Sequence, residues 1–107
     1  MQHRQDDEKR PFEGRDVVDE WGTRVGSVVE VIYDGPDPVW LVVDPGWLRA
    51  PHYVPIEGIY AGAAGHLVVP YEKGWVRSAP KATGADELSA DTLRELVDHY
   101  ELADNYG

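Results

Sequence analysis

The sequence predicts a small, mainly β domain, a barrel or a sandwich, followed by one C-terminal amphipathic helix. Three observations carry this. Between Gly14 and Tyr71, strand-sized apolar runs recur every eight to twelve residues, separated by Gly, Pro and Asp. At 107 residues and 42% apolar content, the chain has the size of one domain with a single core. Past Leu88 the apolar period changes from that of a strand to that of a helix.

Taken in order, Met1 to Phe12 mix charges (Arg4, Asp6, Asp7, Glu8, Lys9, Arg10) with almost nothing apolar, so residues 1–13 read as a solvated tail. The barrel-like unit then spans residues 14–80. Arg15–Asp19 carries Val17 and Val18, and Glu20-Trp21-Gly22-Thr23 reads as a hairpin turn. Val25 to Tyr33 is a β-branched run, and Asp34-Gly35-Pro36-Asp37-Pro38 is a turn with two prolines and a glycine. Val39-Trp40-Leu41-Val42-Val43 is the most apolar strand, closed by Asp44-Pro45-Gly46. His52–Ile56, Gly58–Ala61 and His66–Tyr71 complete the series.

Residues 81–88 read as a loop, the helix as residues 89–102, and 103–107 as a tail. Ser89 stands at the N-cap, where its oxygen accepts from a free amide of the first turn. Leu88 and Leu93 have the spacing of a hydrophobic staple, and Asp91 complements the positive end of the helix dipole. Leu93, Leu96, Val97 and Tyr100 form one apolar stripe, which predicts a helix from Ala90 to about Leu102.

Two strands, Val25–Tyr33 and Val39–Val43, are apolar on both faces. A sheet wall needs one buried face, so the surplus predicts a second contact, supplied by the C-terminal helix, a partner chain or both.

Charge narrows the function. Ten Lys and Arg face twenty Asp and Glu, a net −10, which opposes binding a phosphate backbone. No apolar run reaches the ~18 residues of a membrane span, and the N-terminus lacks an apolar signal core. The absence of cysteine removes thiol chemistry and fits a cytoplasmic setting. Seven arginines against three lysines fit a GC-rich, prokaryotic source.

Catalytic signals are weak, and no catalytic, cofactor or metal residue is assigned. His3, His52, His66 and His99 lie 49, 14 and 33 residues apart, unlike a structural metal site. His52 and His66, with Glu57 or Asp44 nearby, form the one weak candidate for a polar site. Ser27, Ser78 and Ser89 stand in no nucleophile elbow, and Ser89 is already a cap. The carboxylate pairs Asp19-Glu20 and Asp86-Glu87 fall in turn or loop composition, where they read as hydrated. Gly62–Gly65 reads as a hairpin turn.

Contact surfaces are better signalled. Trp21, Trp47 and Trp75 fall outside the strands, where tryptophan either anchors an interface or caps the open end of a small barrel. Trp47 and Leu48 stand at the expected tip of Pro45–Pro51. From Ala79 onward seven acidic residues meet only Lys81 and Arg94, and Asp91, Glu95 and Asp98 share one side of the helix. That side reads as a solvated face or as a surface for a basic partner.

Gly14-Arg15-Asp16-Val17-Val18-Asp19, then Gly22, Val25-Gly26, Val28 and Val31, resemble the opening of a PRC-barrel domain. Trp40–Val43, Tyr53-Val54-Pro55, Val69-Pro70-Tyr71, Val76 and Ala79-Pro80 resemble its later strands and tail, so that the likeness covers about Gly14 to Leu102. The family includes the cytoplasmic domain of the photosynthetic reaction-centre H subunit, the C-terminal domain of a ribosome maturation factor, and short free-standing proteins. The resemblance implies a small, strongly bent barrel of about six strands that works as an adaptor, with no shared catalytic set. This chain lacks the H subunit's membrane helix and the maturation factor's N-terminal domain, so the stand-alone members are the nearest fit. The expectation is a non-catalytic protein-interaction module, homodimeric, with no nucleic acid partner. The alternative is a ligand- or proton-handling module like the H subunit domain. A ribosome-associated RNA-processing adaptor ranks third, because the net charge opposes it.

Overall fold

The β-branched runs pair into one six-stranded sheet. A computed structural model describes residues 12–46, 49–62, 64–82 and 88–102. The strands are β1 (Asp16–Asp19), β2 (Arg24–Asp34), β3 (Asp37–Asp44), β4 (His52–Pro55), β5 (Tyr60–Ala61) and β6 (Leu67–Val69). Two helices follow, α1 (Lys73–Arg77) and α2 (Ala90–Tyr100).

Strand order is β4-β3-β2-β1-β6-β5. β1 to β4 form an antiparallel meander, β6 joins β1 in parallel, and β5 pairs antiparallel with β6. The sheet is not closed: β4 and β5 stand at its two edges. Register shifts at Val17/Val18, Val28/Glu30 and Ile32/Tyr33 mark bulges, which bend strands and strengthen their twist. The fold is a small, strongly bent barrel-like sheet with a helix at the C-terminus, as the sequence predicts.

β3 shows why its sequence has no polar alternation. Leu41 and Val43 point to an inner core with Val17, Val25, Val28, Val54, Leu67, Val69 and Val76. Trp40 and Val42 point the other way, into a second core with Val39, Tyr53, Ala79, Leu96 and Tyr100. Both faces are buried, so both must be apolar. The second cover is α2 of the same chain, one of the sources the pattern allows. β2 is less completely covered: Val31 and Ile32 pack on the inner and outer cores, while Val29 and Tyr33 remain exposed.

α2 forms as its signals indicate. Ser89 Oγ accepts from the Thr92 amide at 3.1 Å, and Leu88 and Leu93 both pack on the outer core. The helix ends two residues before the predicted Leu102. Glu101 adopts the left-handed conformation (φ 56°), and the Leu102 amide reaches back to the Val97 carbonyl at 2.9 Å, closing the last turn. Tyr100 lies nearly fully buried, 4.7 Å from the Tyr71 ring and 6.3 Å from Trp40, and its hydroxyl donates to the Tyr53 carbonyl at 2.7 Å. Aromatic packing with one buried hydrogen bond therefore fastens α2 to β3 and β4.

Three expectations need correction. The turn after β2 is only Gly35-Pro36, because Asp34 pairs with Asp37; Gly35 (φ +61°) supplies the positive φ that so tight a hairpin needs. The stretch after β6 contains α1, which sequence periodicity misses because five residues make little more than one turn and Gly74 is a poor helix former. Phe12, placed by sequence in the tail, is tied in rather than trailing: it packs on the inner core, shortly before Gly14, the first residue of the barrel-like unit, whose amide bonds the Val28 carbonyl at 2.9 Å. Residues 1–11, the loop residues 83–87 and the tail 103–107 lie outside the described residues.

Candidate functional site

The β1–β2 hairpin is held by a carboxylate that sequence reasoning takes for a hydrated one. Asp19 is only 3% exposed. Its Oδ1 accepts from the amides of Trp21 (3.0 Å) and Thr23 (2.9 Å), and its Oδ2 from the Lys73 amide at the start of α1 (3.2 Å). Three donors satisfy the buried acid and join residues 54 positions apart. Trp21 rides on this braced turn with 69% of its surface exposed.

Trp75 is different. Its ring stacks on His99 of α2 at 4.3 Å, its indole N–H donates to the His99 carbonyl at 3.1 Å, and His99 Nε2 donates to the Trp75 carbonyl at 2.7 Å. The Ser78 hydroxyl adds a bond to the same carbonyl at 2.9 Å. This reciprocal clip fastens α1 to α2, so Trp75 has its main partner within the chain, although 45% of it stays exposed. Asp91, Glu95 and Asp98 all lie exposed on α2, with Asp91 paired to Arg94 at 3.5 Å. Trp47 and Leu48 lie outside the described residues.

The two candidate histidines separate. His66 sits in the β5–β6 turn, where its carbonyl accepts from the Gly62 amide at 2.7 Å and its ring fills the space a Cβ at Gly62 would occupy. His52 opens β4 and lines a cleft of about 470 Å³ with Pro45, Arg49, Ala50, Arg77 and Lys81. His66 is not part of it, and Asp44 turns its carboxylate to the Gly46 amide at 2.8 Å. Among the described residues no group of three His, Asp or Glu side chains comes together to hold a metal.

The topology of the β4 edge assembles the cleft. After α1 the chain returns to that edge: Lys81 bridges to His52, and the Ala82 amide bonds the Pro51 carbonyl at 2.9 Å. This brings the last residue of α1, Arg77, and the loop residue Arg49 beside the start of β4. His52 is 6% exposed, and its Nδ1 has no partner among the described residues. Burial pushes its pKa below the ordinary histidine value, the Lys81 charge pushes it the same way, a hydrogen bond to the Ala79 backbone opposes, and Arg77 adds a little to the lowering. Sequence reasoning missed Arg49, Arg77 and Lys81. They stand in no motif, and only the excess of acid elsewhere makes their convergence conspicuous.

Comparison with protein-family models matches residues 7–82 to the PRC-barrel domain. The chain belongs to the PRC-barrel family. A search of curated proteins gave no match. The matched region of this PRC-barrel protein ends at Ala82, short of the Leu102 to which the sequence resemblance extends. It includes the whole sheet, α1 and every residue of the cleft, and it stops before α2. The family residues have structural reasons here: a Cβ on Gly26 would strike the Asp44 carbonyl where β2 and β3 approach. No helix among the described residues is long and apolar enough to cross a membrane.

Proposed function

We propose that this PRC-barrel protein is a non-catalytic interaction module that docks through Trp21, with a second copy of itself as partner. On this reading it works in the cytoplasm and takes no nucleic acid. The observation that supports it is the exposed Trp21 ring on a hairpin that Asp19 braces. A large aromatic on a backbone already fixed in place loses less freedom on binding than one on a mobile loop, which is what an anchor residue needs. A two-fold axis brings one Trp21 against its copy without any further component. Val29, Tyr33 and Tyr60 are further exposed apolar or aromatic side chains of the sheet.

Size-exclusion chromatography with light scattering, run over rising concentration, tests this. The wild type is expected to dimerise. Trp21→Ala should weaken the dimer by roughly tenfold or more while melting within ~0.5 kcal/mol of wild type when both are dilute enough to be monomeric, as surface changes do. A strict monomer throughout contradicts self-association, and a dimer indifferent to Trp21→Ala contradicts docking through that residue.

A further inference from the structure

Seven of the chain's ten cationic side chains lie among the described residues, and three of them (Arg49, Arg77 and Lys81) line one cleft in a molecule of net charge −10. Among the described residues none of the three makes an ion pair, whereas Arg24 and Arg94 each hold a carboxylate. No carboxylate lines the cleft. Like charges gathered in a concavity repel one another, and their field there is focused rather than dissipated. The wall also carries His52, more than nine-tenths buried, with Nδ1 unpartnered. Buried polar atoms normally have a partner, and here the protein supplies none among its described residues.

We propose that this cleft binds a small, multiply charged oxyanion of the phosphoryl class, held by Arg49, Arg77 and Lys81, with His52 in the wall behind them. The two guanidinium groups give planar forks that match phosphate oxygens, and Lys81 adds a point charge. The volume suits a ligand larger than a single phosphate, within the range of small-molecule sites. His52 then has a definite part. Its neighbours are the cations Lys81, Arg77 and Arg49, with uncharged Pro45 and Ala50 completing the lining. An oxyanion offsets those charges, so the His52 ring takes up a proton more readily and adds its own charge to the wall. The site is separate from Trp21 and stands or falls independently of the docking reading.

Isothermal titration calorimetry of the full chain with inorganic pyrophosphate, at about 0.15 M salt, tests the proposal. One saturable site is expected, weakened at least roughly tenfold by Arg77→Gln or Lys81→Gln and unchanged by Arg94→Gln, each variant checked for an unaltered far-UV circular dichroism spectrum. The His52 ring resonances should move on saturation and report a higher pKa. No binding at millimolar pyrophosphate overturns the proposal, as does binding indifferent to the cleft variants. Citrate binding as tightly as pyrophosphate overturns the phosphoryl assignment. A single-stranded RNA that binds more tightly than pyrophosphate, with the same dependence on Arg77 and Lys81, makes this a nucleic acid surface and overturns the small-ligand reading.

Discussion

The two faces of β3 are covered in different ways. Leu41 and Val43 meet valines and a leucine brought over by the bend of the sheet itself, with Val76 of α1 sealing the same core. Trp40 and Val42 meet a helix that comes from outside the family-matched region, through tyrosines and one buried hydroxyl. The inner face is thus closed by the barrel-like unit, while the outer face depends on a segment added after it. A strand with no polar side reports that both faces are buried, but not what buries the second.

Substitutions on each face should separate these roles. Leu41→Ala opens a cavity in the inner core and Trp40→Ala removes the ring on which Tyr53 and Tyr100 pack; losses of about 2–5 and about 3–5 kcal/mol are expected. The distinguishing sign is the order of melting. In Trp40→Ala the helix signal should fall before the sheet, and in Leu41→Ala the two should fall together. Thermal melts followed at helix and strand wavelengths check this, and coincident transitions in both variants would erase the contrast.

Smaller changes sharpen it. Tyr100→Phe keeps the ring and deletes the bond to the Tyr53 carbonyl, so a loss of about 1 kcal/mol should appear in chemical unfolding. Burial also holds the Tyr100 hydroxyl well above the ordinary tyrosine pKa, with Tyr71 adding to the shift, so the bond persists into alkaline solution. Glu101→Gly should raise stability by about 1 kcal/mol, because a side chain at φ 56° is strained where glycine is not.

The smallest effect is one of pH. His52 has a folded pKa below its unfolded value of 6.5, so the unfolded chain binds a proton that the native state refuses. Stability contributed by the neutral ring is present above 6.5 and falls away as pH drops from there to the lowered value. His52→Gln should flatten that part of the stability curve, measured by melts between about pH 5 and about pH 7.5. An unchanged slope would show that His52 titrates like a free histidine.

Much of this was legible in the sequence, and the reasons are physical. The strands and the Ser89-capped helix declare themselves through local period and capping chemistry, whereas the Val25-Gly26 pair stands out only by its family resemblance, and the close approach to Asp44 that requires the glycine is visible only in the fold. α1 is too short to show a period. The role of Asp19 rests on Lys73, 54 residues away, and that of Trp75 on His99, so neither partnership leaves a local trace. The cleft is the extreme case. Arg49, His52, Arg77 and Lys81 meet only because the chain returns to the β4 edge after α1. Among the residues singled out as contacts, Trp21 and Trp75 are both exposed, and Trp75 in addition stacks on His99.

The central claim is that α2 of the same chain closes the outer face of β3. An isotope-filtered nuclear Overhauser experiment on an equal mixture of labelled and unlabelled protein measures it directly. The account predicts Trp40–Tyr100 ring contacts within each copy that persist on dilution. Contacts seen only between labelled and unlabelled copies, or none at all, would contradict it.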